Sequence, residues 1–343
     1  GTLRKPSIGV HGELTPDQAR AIAQDWASEV RRGGDPSSTR REGRDAPHMS
    51  DLFKRYLTEH AEAHKKASSI RHDQALITNI LEPRFGPQKV AEVSRGDVDA
   101  FHKSRRETPY QANRALALLS KAFNLAELWG YRADNTNPCR HVQKFREEKR
   151  ERFLSERELT ALGDAFTKAE AGMLRTKRGA PISVYAIAAI RLLMLTGARR
   201  NEILSLRWEE VDLEAGRLEL PDSKTGAKTV YLPASAVQLL TALPRVEGNP
   251  HVIVGGKLNS HLVNIKDPWG AIRAAAALED LRLHDLRHSF ASVAVAGGMS
   301  LPVLGALLGH HNTATTARYA HFSDDPLKAA VELVGGQIGK AMR

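Results

Sequence analysis

The fold class is decided by Arg217-Leu218-Glu219-Leu220, followed by Asp222-Ser223-Lys224-Thr225-Gly226 and then by Thr229-Val230-Tyr231-Leu232. Apolar and polar residues alternate in the first and last of these runs, as they do in half-buried strands. The middle run consists of residue types that favour a tight turn around a glycine. This segment therefore predicts a small antiparallel sheet, set within Arg207 to Pro233 of an otherwise helical chain.

Helical spacing of apolar residues dominates on both sides of this sheet. From Ser50 to about Gln143 the spacing predicts a bundle of about four or five helices. Further helical patterns cover Pro181 to Leu195 and most of the chain after Leu283. The predicted fold class is mainly α. Breaks in the bundle are expected where turn-forming residues collect, at Pro83 to Pro87, Ser94 to Asp97 and Asn135 to Pro138.

Domain boundaries are indicated by changes in composition. The run from Lys144 to Arg152 is almost entirely charged, which predicts a solvated interdomain segment, and Ser155 then opens a helix with Glu158 completing a capping box. Near the start, Thr15-Pro16-Asp17-Gln18 announces a helix that should run to about Arg32 before a polar linker. The expected domains are residues 1–47, a helical domain at 48–146, and a mixed α+β domain at 153–343 that contains the small sheet.

Bulk composition narrows the functional classes. The 343 residues carry 50 Lys and Arg against 40 Asp and Glu, a formal charge of +10. This surplus of positive charge favours a nucleic-acid partner, although positive charge that is spread evenly over the surface and serves solubility would give the same count. No apolar run is long enough to cross a membrane. The single cysteine, Cys139, excludes an intramolecular disulfide and a redox pair and indicates a reducing cytoplasm. The chain opens with Gly1, which leaves open that native residues precede it.

Two basic residues are candidates for contact with a bound substrate. Arg199 lies in Thr196-Gly197-Ala198-Arg199-Arg200-Asn201-Glu202, a glycine-containing break between helices. An arginine in a solvated turn is the ordinary alternative, and Glu202 either orients this arginine or pairs with it on the surface. Lys224 lies at the tip of the predicted hairpin, from which its ammonium group reaches outward, although most hairpin lysines are merely solvated.

A third group lies in His284-Asp285-Leu286-Arg287-His288. His284 and Arg287 are three apart, so they share a helical face and approach the same ligand. An ordinary charged helix face is one alternative. A zinc site is another, because His284 and His288 are four apart, but the metalloprotease motif requires glutamate where Asp285 stands.

The last two candidates lie near the end of the chain. His310, in Gly309-His310-His311-Asn312, follows an apolar stretch and is otherwise explained as a helix end. Tyr319 would by default be a core or surface aromatic side chain on a helix. Together, two arginines, a lysine, two histidines and a tyrosine are the groups needed to break a phosphodiester without metal. Nearby cations would offset the roughly 4 kcal/mol needed to ionise a phenol at neutral pH.

Three runs resemble the signature boxes of the tyrosine recombinase, or phage integrase, family, in the family's order: Thr196 to Leu206, His284 to Ser292, and Leu308 to His321. Lys224 falls on the hairpin where that family keeps its catalytic lysine. The resemblance implies two arginines that clamp the scissile phosphate, two histidines that assist, a lysine that protonates the leaving 5′-hydroxyl, and a tyrosine that joins the 3′-phosphate. These roles fall on Arg199 and Arg287, His284 and His310, Lys224, and Tyr319; Glu202 matches a supporting acidic position.

The resemblance also implies architecture and partners. Ser50 to Gln143 is similar to the family's core-binding domain, which with the catalytic domain would form a C-shaped clamp on double-stranded DNA. Residues 1 to about 45 resemble the tail of an arm-type DNA-binding domain, and the helix expected at Pro326 to Met342 docks either on its own chain or on a neighbour. The expected assembly is a homotetramer on two DNA sites, without cofactor, metal or membrane. It is expected to be cytoplasmic and nucleoid-associated, and a need for accessory DNA-bending proteins is left open.

Two other functions share these features. A type IB topoisomerase uses the same chemistry to relax supercoils as a monomer, but the separate core-binding domain and the short spacing of the boxes favour a recombinase. The other alternative is a non-catalytic DNA-binding or architectural protein descended from a recombinase. Such a protein would bind DNA in a salt-sensitive way and would form no covalent adduct with it. The complete set of candidate residues favours the enzyme.

Overall fold

The computed structural model describes residues 7–9, 12–35, 41, 44–148, 152–223, 226–310 and 312–320. The chain divides into two compact units between Lys149 and Arg150. Among the described residues, the elements of the first unit are helices α1 Pro16–Arg31, α2 Met49–Arg55, α3 Glu62–His64, α4 Ala67–Leu76, α5 Glu82–Phe85, α6 Arg95–Ser104 and α7 Pro109–Leu128, with π-helical turns at Tyr56–Ala61 and Ile77–Leu81.

The first unit contains the predicted helical bundle. The long helix α7 supplies much of its core. The helix predicted from Thr15-Pro16-Asp17-Gln18 is α1, which begins with a capping box between Thr15 and Gln18 and buries none of its residues. The predicted break at Pro83 to Pro87 contains the end of α5 at Phe85, and Pro83 itself lies in the first turn of this helix, where a missing N–H costs nothing. The largest fully buried side chains of this unit are Tyr56, Phe53, Phe85, Phe123, Met49, Leu52, Leu81 and Leu119.

The segment leading out of the first unit is held more firmly than its charge suggests. Its charged side chains from Lys144 to Glu148 are exposed, as expected, but its backbone is hydrogen-bonded to α7 and its one aromatic ring packs on α6. Asn113 donates to the Phe145 carbonyl over 2.9 Å and accepts from the Phe145 N–H over 3.0 Å. The buried His102 ring stacks on the Phe145 ring with centroids 4.2 Å apart. A solvated segment is therefore the wrong description of Phe145, whose aromatic ring and backbone both have partners in the bundle.

The second unit combines helices with the predicted small sheet. Strands β2 Arg217–Ser223 and β3 Gly226–Tyr231 pair antiparallel with Leu218 opposite Val230, and a short strand β1 Val211–Asp212 joins the other edge of β2. Among the described residues, its helices are α8 Glu156–Glu170, α9 Val184–Thr196, α10 Arg200–Leu204, α11 Ala234–Ala242, α12 Lys266–Ala275, α13 Leu283–Ala296, α14 Leu301–Leu308 and α15 Thr313–Ala317.

Helix α9 lies at the centre of the second unit. It is apolar along almost its whole length, and it packs against helices α8, α10, α11, α12 and α13. A smaller apolar cluster of Ala291, Val295, Leu304, Leu308 and Tyr319 joins α13 to α14 and to the segment after α15. The core around α9 and this smaller cluster together hold the C-terminal ends of α9 and α14 beside α13. Within the part of the chain that the structure describes, none of the helices is both apolar enough and long enough to cross a bilayer.

Candidate active site

Two helix ends shape the site. Gly197 caps the C-terminus of helix α9 and Gly309 caps that of α14, both in the left-handed conformation, with φ of 61° and 66°. A Cβ atom on Gly197 would lie 2.6 Å from the Phe290 ring, so a larger residue is excluded by contact as well as by backbone strain. The carbonyl groups at these ends carry the negative pole of each helix and face the basic residues of the site.

Arg287 joins both helix ends. This residue of α13 is 4% exposed and donates to the Gly197 carbonyl over 2.6 Å and to the Leu308 carbonyl over 2.8 Å. Its Nη2 atom also lies 2.9 Å from Nε2 of His310. Burial, followed by the charge of Arg199, lowers the pKa of Arg287 to about 10. The guanidinium therefore stays charged at neutral pH and is fixed in position before any substrate arrives.

Arg199 is held on the other side of the same turn. Its Nη1 atom donates to Glu202 over 2.8 Å, and its Nη2 atom donates to the Gly309 carbonyl over 3.2 Å. Burial of Glu202 opposes its ionisation, but the hydrogen bonds from the Arg199 backbone and side chain, together with the charges of Lys228 and Arg199, lower the pKa of Glu202. Glu202 is therefore a buried carboxylate that orients Arg199, which decides between the two alternatives left by the sequence.

His310 contacts Arg287 through one ring nitrogen and Thr316 through the other, with 3.0 Å from Nδ1 to the Thr316 hydroxyl. Because arginine only donates, we assign Nε2 as the acceptor and Nδ1 as the protonated nitrogen. Burial, followed by the charges of Arg287 and Arg199, lowers the pKa of His310 to about 4. His310 is consequently neutral at physiological pH.

Tyr319 is 4% exposed and packs in the smaller apolar cluster. Its hydroxyl lies 2.6 Å from Nδ1 of His288, a residue that the sequence considered only as a zinc ligand. Burial raises the pKa of Tyr319, although the charges of Arg318 and Arg287 act in the opposite direction. The exposed His284 contacts the His288 ring edge to face, with centroids 4.9 Å apart. Desolvation by the surrounding atoms, followed by the charge of Arg287, lowers the pKa of His284.

Lys224 lies outside the described residues, and a second lysine of the hairpin occupies the site. Lys228 on β3 has a side chain only 7% exposed, with Nζ 3.3 Å from Glu202 and 3.3 Å from the Leu308 carbonyl. Its stem also packs on Gly309, where an added Cβ would lie 3.0 Å from the lysine Cδ. Burial is the main reason that the pKa of Lys228 is lowered. The signal in the sequence was strand alternation, since Lys228 shares a face with the buried Val230.

The structure thus brings Arg199, Arg287 and His310 together on the turn that follows α14. It connects His284 to Tyr319 through the ring of His288. The buried set of groups is rich in hydrogen-bond donors and in positive charge, as a site for a phosphate anion requires.

Lys228→Met is expected to lower the free energy of unfolding of the second unit by about 3 kcal/mol. Removing the ammonium leaves the Glu202 carboxylate buried with one fewer cation, and breaking a buried ion pair costs about 3–5 kcal/mol. The difference in the free energy of unfolding between Lys228→Met and the unaltered chain should shrink as the pH falls below about 4.5. Glu202 in the native site has a lowered pKa and loses its contribution there, whereas in the variant its protonation relieves an unpaired charge.

The free energy of unfolding is measured by titration with urea. Pulsed hydrogen exchange of peptides from the second unit reports the fraction of that unit that is unfolded at each urea concentration. Lys257→Met is the matched control, because Lys257 is exposed. Equal stability of the two variants at pH 7 would contradict a structural role for the Lys228 ion pair.

Comparison with known proteins identifies the family. Residues 152–325 match the model of the phage integrase family, a span that holds all the candidate residues of the site. The chain belongs to the phage integrase family. A tyrosine recombinase of Thermosipho africanus (strain TCF52B) is 30% identical over 261 residues, covering 74% of this chain and 85% of the relative. The shufflon-specific DNA recombinase of Escherichia coli is 32% identical over 210 residues, covering 60% of this chain and 49% of that protein.

Solved structures show the same fold at low identity. The Tn1549 transposon integrase in complex with circular intermediate DNA has a TM-score of 0.64 at 16% identity, covering 83% of this chain and 99% of that one. A lambda integrase dimer bound to a COC' core site has a TM-score of 0.64 at 17% identity, covering 89% and 87%. This phage integrase family chain therefore has an integrase fold, and its match spans about half the length of several of its curated relatives.

Proposed function

We propose that this chain is a site-specific DNA recombinase that cuts and rejoins DNA through a covalent bond between Tyr319 and a 3′-phosphate. The observation that carries the proposal is the position of Arg287. This buried arginine is fixed by two helix-end carbonyls and His310, and its charge acts on the pKa of Tyr319. Family membership agrees with this chemistry, and the tyrosine recombinase of Thermosipho africanus aligns with most of the chain.

In the proposed reaction, Arg199 and Arg287 neutralise the scissile phosphodiester with charge-assisted hydrogen bonds. The Tyr319 oxygen attacks phosphorus, the bond to the 5′-oxygen breaks, and Lys224 gives that oxygen a proton. His284 and His310 assist by donating hydrogen bonds to the phosphate oxygens and by proton transfer. The 3′-phosphotyrosyl bond preserves the energy of the phosphodiester, so the rejoining step needs no ATP.

The contacts in the site without DNA explain why Tyr319 would be unreactive until a phosphate binds. Since burial raises the pKa of Tyr319 above its ordinary value, the phenol is protonated at neutral pH, with a deficit of at least about 4 kcal/mol relative to phenolate. His310 is the side-chain acceptor of Arg287, and a phosphate oxygen is a stronger acceptor than a neutral imidazole. Phosphate binding should therefore redirect Arg287 from His310 to the substrate and assemble the reactive state.

Double-stranded DNA is the proposed partner. In addition to the net charge of +10, the first unit has an open groove of about 930 Å³ in which the one acidic lining residue, Asp73, is paired with Lys65 over 2.6 Å. Other basic groups that line this groove are His64, Lys66, His72, Arg114 and Lys121. A groove with this charge suits a phosphate backbone.

The proposed assembly is four chains on two DNA sites, cytoplasmic and nucleoid-associated, with or without accessory DNA-bending proteins. The support is the fold shared with a lambda integrase tetramer bound to a Holliday junction, which has a TM-score of 0.63. Within this arrangement, residues 48–146 and 153–343 are proposed as the core-binding and catalytic domains.

The proposal is tested by first selecting, from a random library, duplexes that the full chain binds. Nicks are then tiled across the selected sequence, so that a short fragment diffuses away after cleavage and traps the intermediate. We expect a protein–DNA adduct on a denaturing gel, and mass spectrometry should place a 3′-phosphoryl group on Tyr319. Specific binding without an adduct at any nick position would instead support the non-catalytic architectural protein.

A further inference from the structure

His288 forms a hydrogen bond with Tyr319, the proposed nucleophile. Its Nδ1 atom lies 2.6 Å from the Tyr319 hydroxyl oxygen, and the two rings are tilted by 46° with centroids 5.9 Å apart. Tyr319 is in the interior, so this hydrogen bond forms in a place from which water is largely excluded. The roles proposed above for the other histidines leave His288 without a function.

The surroundings of His288 keep its ring neutral. His284, Asp285 and Arg287 face it from its own helix, and Arg318 and Tyr319 face it from the segment after α15. Burial, followed by the charges of His284 and Arg318, lowers the pKa of His288 to about 4, against a smaller opposing effect of Asp285. Because a phenol is a much stronger acid than a neutral imidazole N–H, the Tyr319 hydroxyl donates this hydrogen bond to Nδ1.

We propose that His288 is the proton acceptor for Tyr319 in DNA cleavage, a role that rests on the proposed function. As the tyrosine oxygen forms its bond to phosphorus, the hydroxyl proton passes to Nδ1 of His288, and the 5′-oxygen leaves with a proton from a separate acid. The phosphodiester keeps one negative charge, and His288 holds one positive charge. In the joining step the 5′-hydroxyl attacks phosphorus and gives its proton back to that separate acid, while His288 returns its own proton to the departing tyrosine oxygen.

The free protein is not set to complete this transfer. The tyrosine holds its proton far more tightly than His288 accepts one, because burial shifts the two pKa values apart. A phosphate anion between the arginines changes this balance, since a nearby opposite charge favours the imidazolium. His288 therefore restrains the nucleophile without DNA and accepts its proton once a phosphate is bound.

His288→Asn provides the test, because its amide oxygen replaces Nδ1 as an acceptor but does not take up a proton. We expect the rate of adduct formation on the nicked substrate to fall by roughly 10²–10⁴-fold at pH 7. The deficit should shrink by about tenfold for each pH unit between 7 and 9, because solvent then ionises the phenol without His288. Val293→Ala, an exposed position on the same helix, is the control.

Two further measurements isolate the step. A substrate with sulfur at the 5′-bridging position has a leaving group that needs no proton, so it should restore Lys224→Ala but not His288→Asn. In His288→Ala, added imidazole should recover part of the lost rate, which also shows that the variant is folded.

A deficit of less than about threefold in His288→Asn, or one that stays constant with pH, would show that His288 only packs against Tyr319. Failure of imidazole to restore His288→Ala while DNA binding is retained would count against the proposal in the same way. If the unaltered chain forms no adduct, the proposed function itself fails, which is a separate result.

Discussion

Tyr319→Phe is expected to abolish the covalent adduct completely while specific DNA binding remains. The substitution removes one oxygen atom and keeps the ring, which continues to fill the apolar cluster with Leu304 and Leu308. His288 loses a hydrogen-bond partner in a partly buried position, a cost of about 1–3 kcal/mol that leaves the second unit folded. No other group then stands at the end of this side chain to attack phosphorus, so the effect on cleavage is loss rather than slowing.

Gel analysis on the nicked duplex measures the adduct, and a filter assay measures binding. Tyr231→Phe is the matched control, because Tyr231 is 65% exposed on β3, and it should react at the rate of the unaltered chain. An adduct that persists in Tyr319→Phe would move the nucleophile to another residue and overturn the residue roles proposed for the site.

The sequence predicted what local patterns encode. Alternation around Leu218 and Val230 predicted the sheet, and the capping box at Ser155 predicted the start of α8; both are present. The added strand at Val211 was missed because two residues are too short for a period to show. The family boxes located Arg199 and Arg287, but the spacing of Arg287 and His284 did not show that one is buried among helix ends and the other is exposed.

What the sequence missed depends on contacts between distant residues. Lys228 and Glu202 are 26 positions apart, and His288 and Tyr319 are 31 apart, so neither pair leaves a periodic trace. The docking of Phe145 on Asn113 likewise needs a turn that composition does not reveal. Lys224 and the tail at Pro326 to Met342 lie outside the described residues, so their roles, like the C-shaped clamp and the arm-type segment, stay predictions.

Arg287→Ala is expected to slow adduct formation by 10³-fold or more. Loss of a single preorganised donor to a developing charge costs about 10²–10³ in rate, and Arg287 supplies a full charge as well. Its three present partners add a structural effect, because the carbonyls of Gly197 and Leu308 and the His310 ring lose their donor together. Buried acceptors without partners cost about 1–3 kcal/mol each, so the turn after α14 should also loosen.

Salt dependence separates these two effects. A residue that neutralises one phosphate contributes about 0.9 to the slope of log affinity against log salt concentration, whereas a loosened turn leaves the slope unchanged. We therefore expect Arg287→Ala to bind DNA with a slope smaller by about one, and Arg282→Ala, at the exposed start of the same helix, to retain the catalytic rate. An unchanged slope together with a rate loss below about tenfold would show that the scissile phosphate is neutralised elsewhere. In that case Arg287 acts mainly as the buried link between α9, α13 and α14, and Arg199 becomes the leading candidate for the phosphate contact.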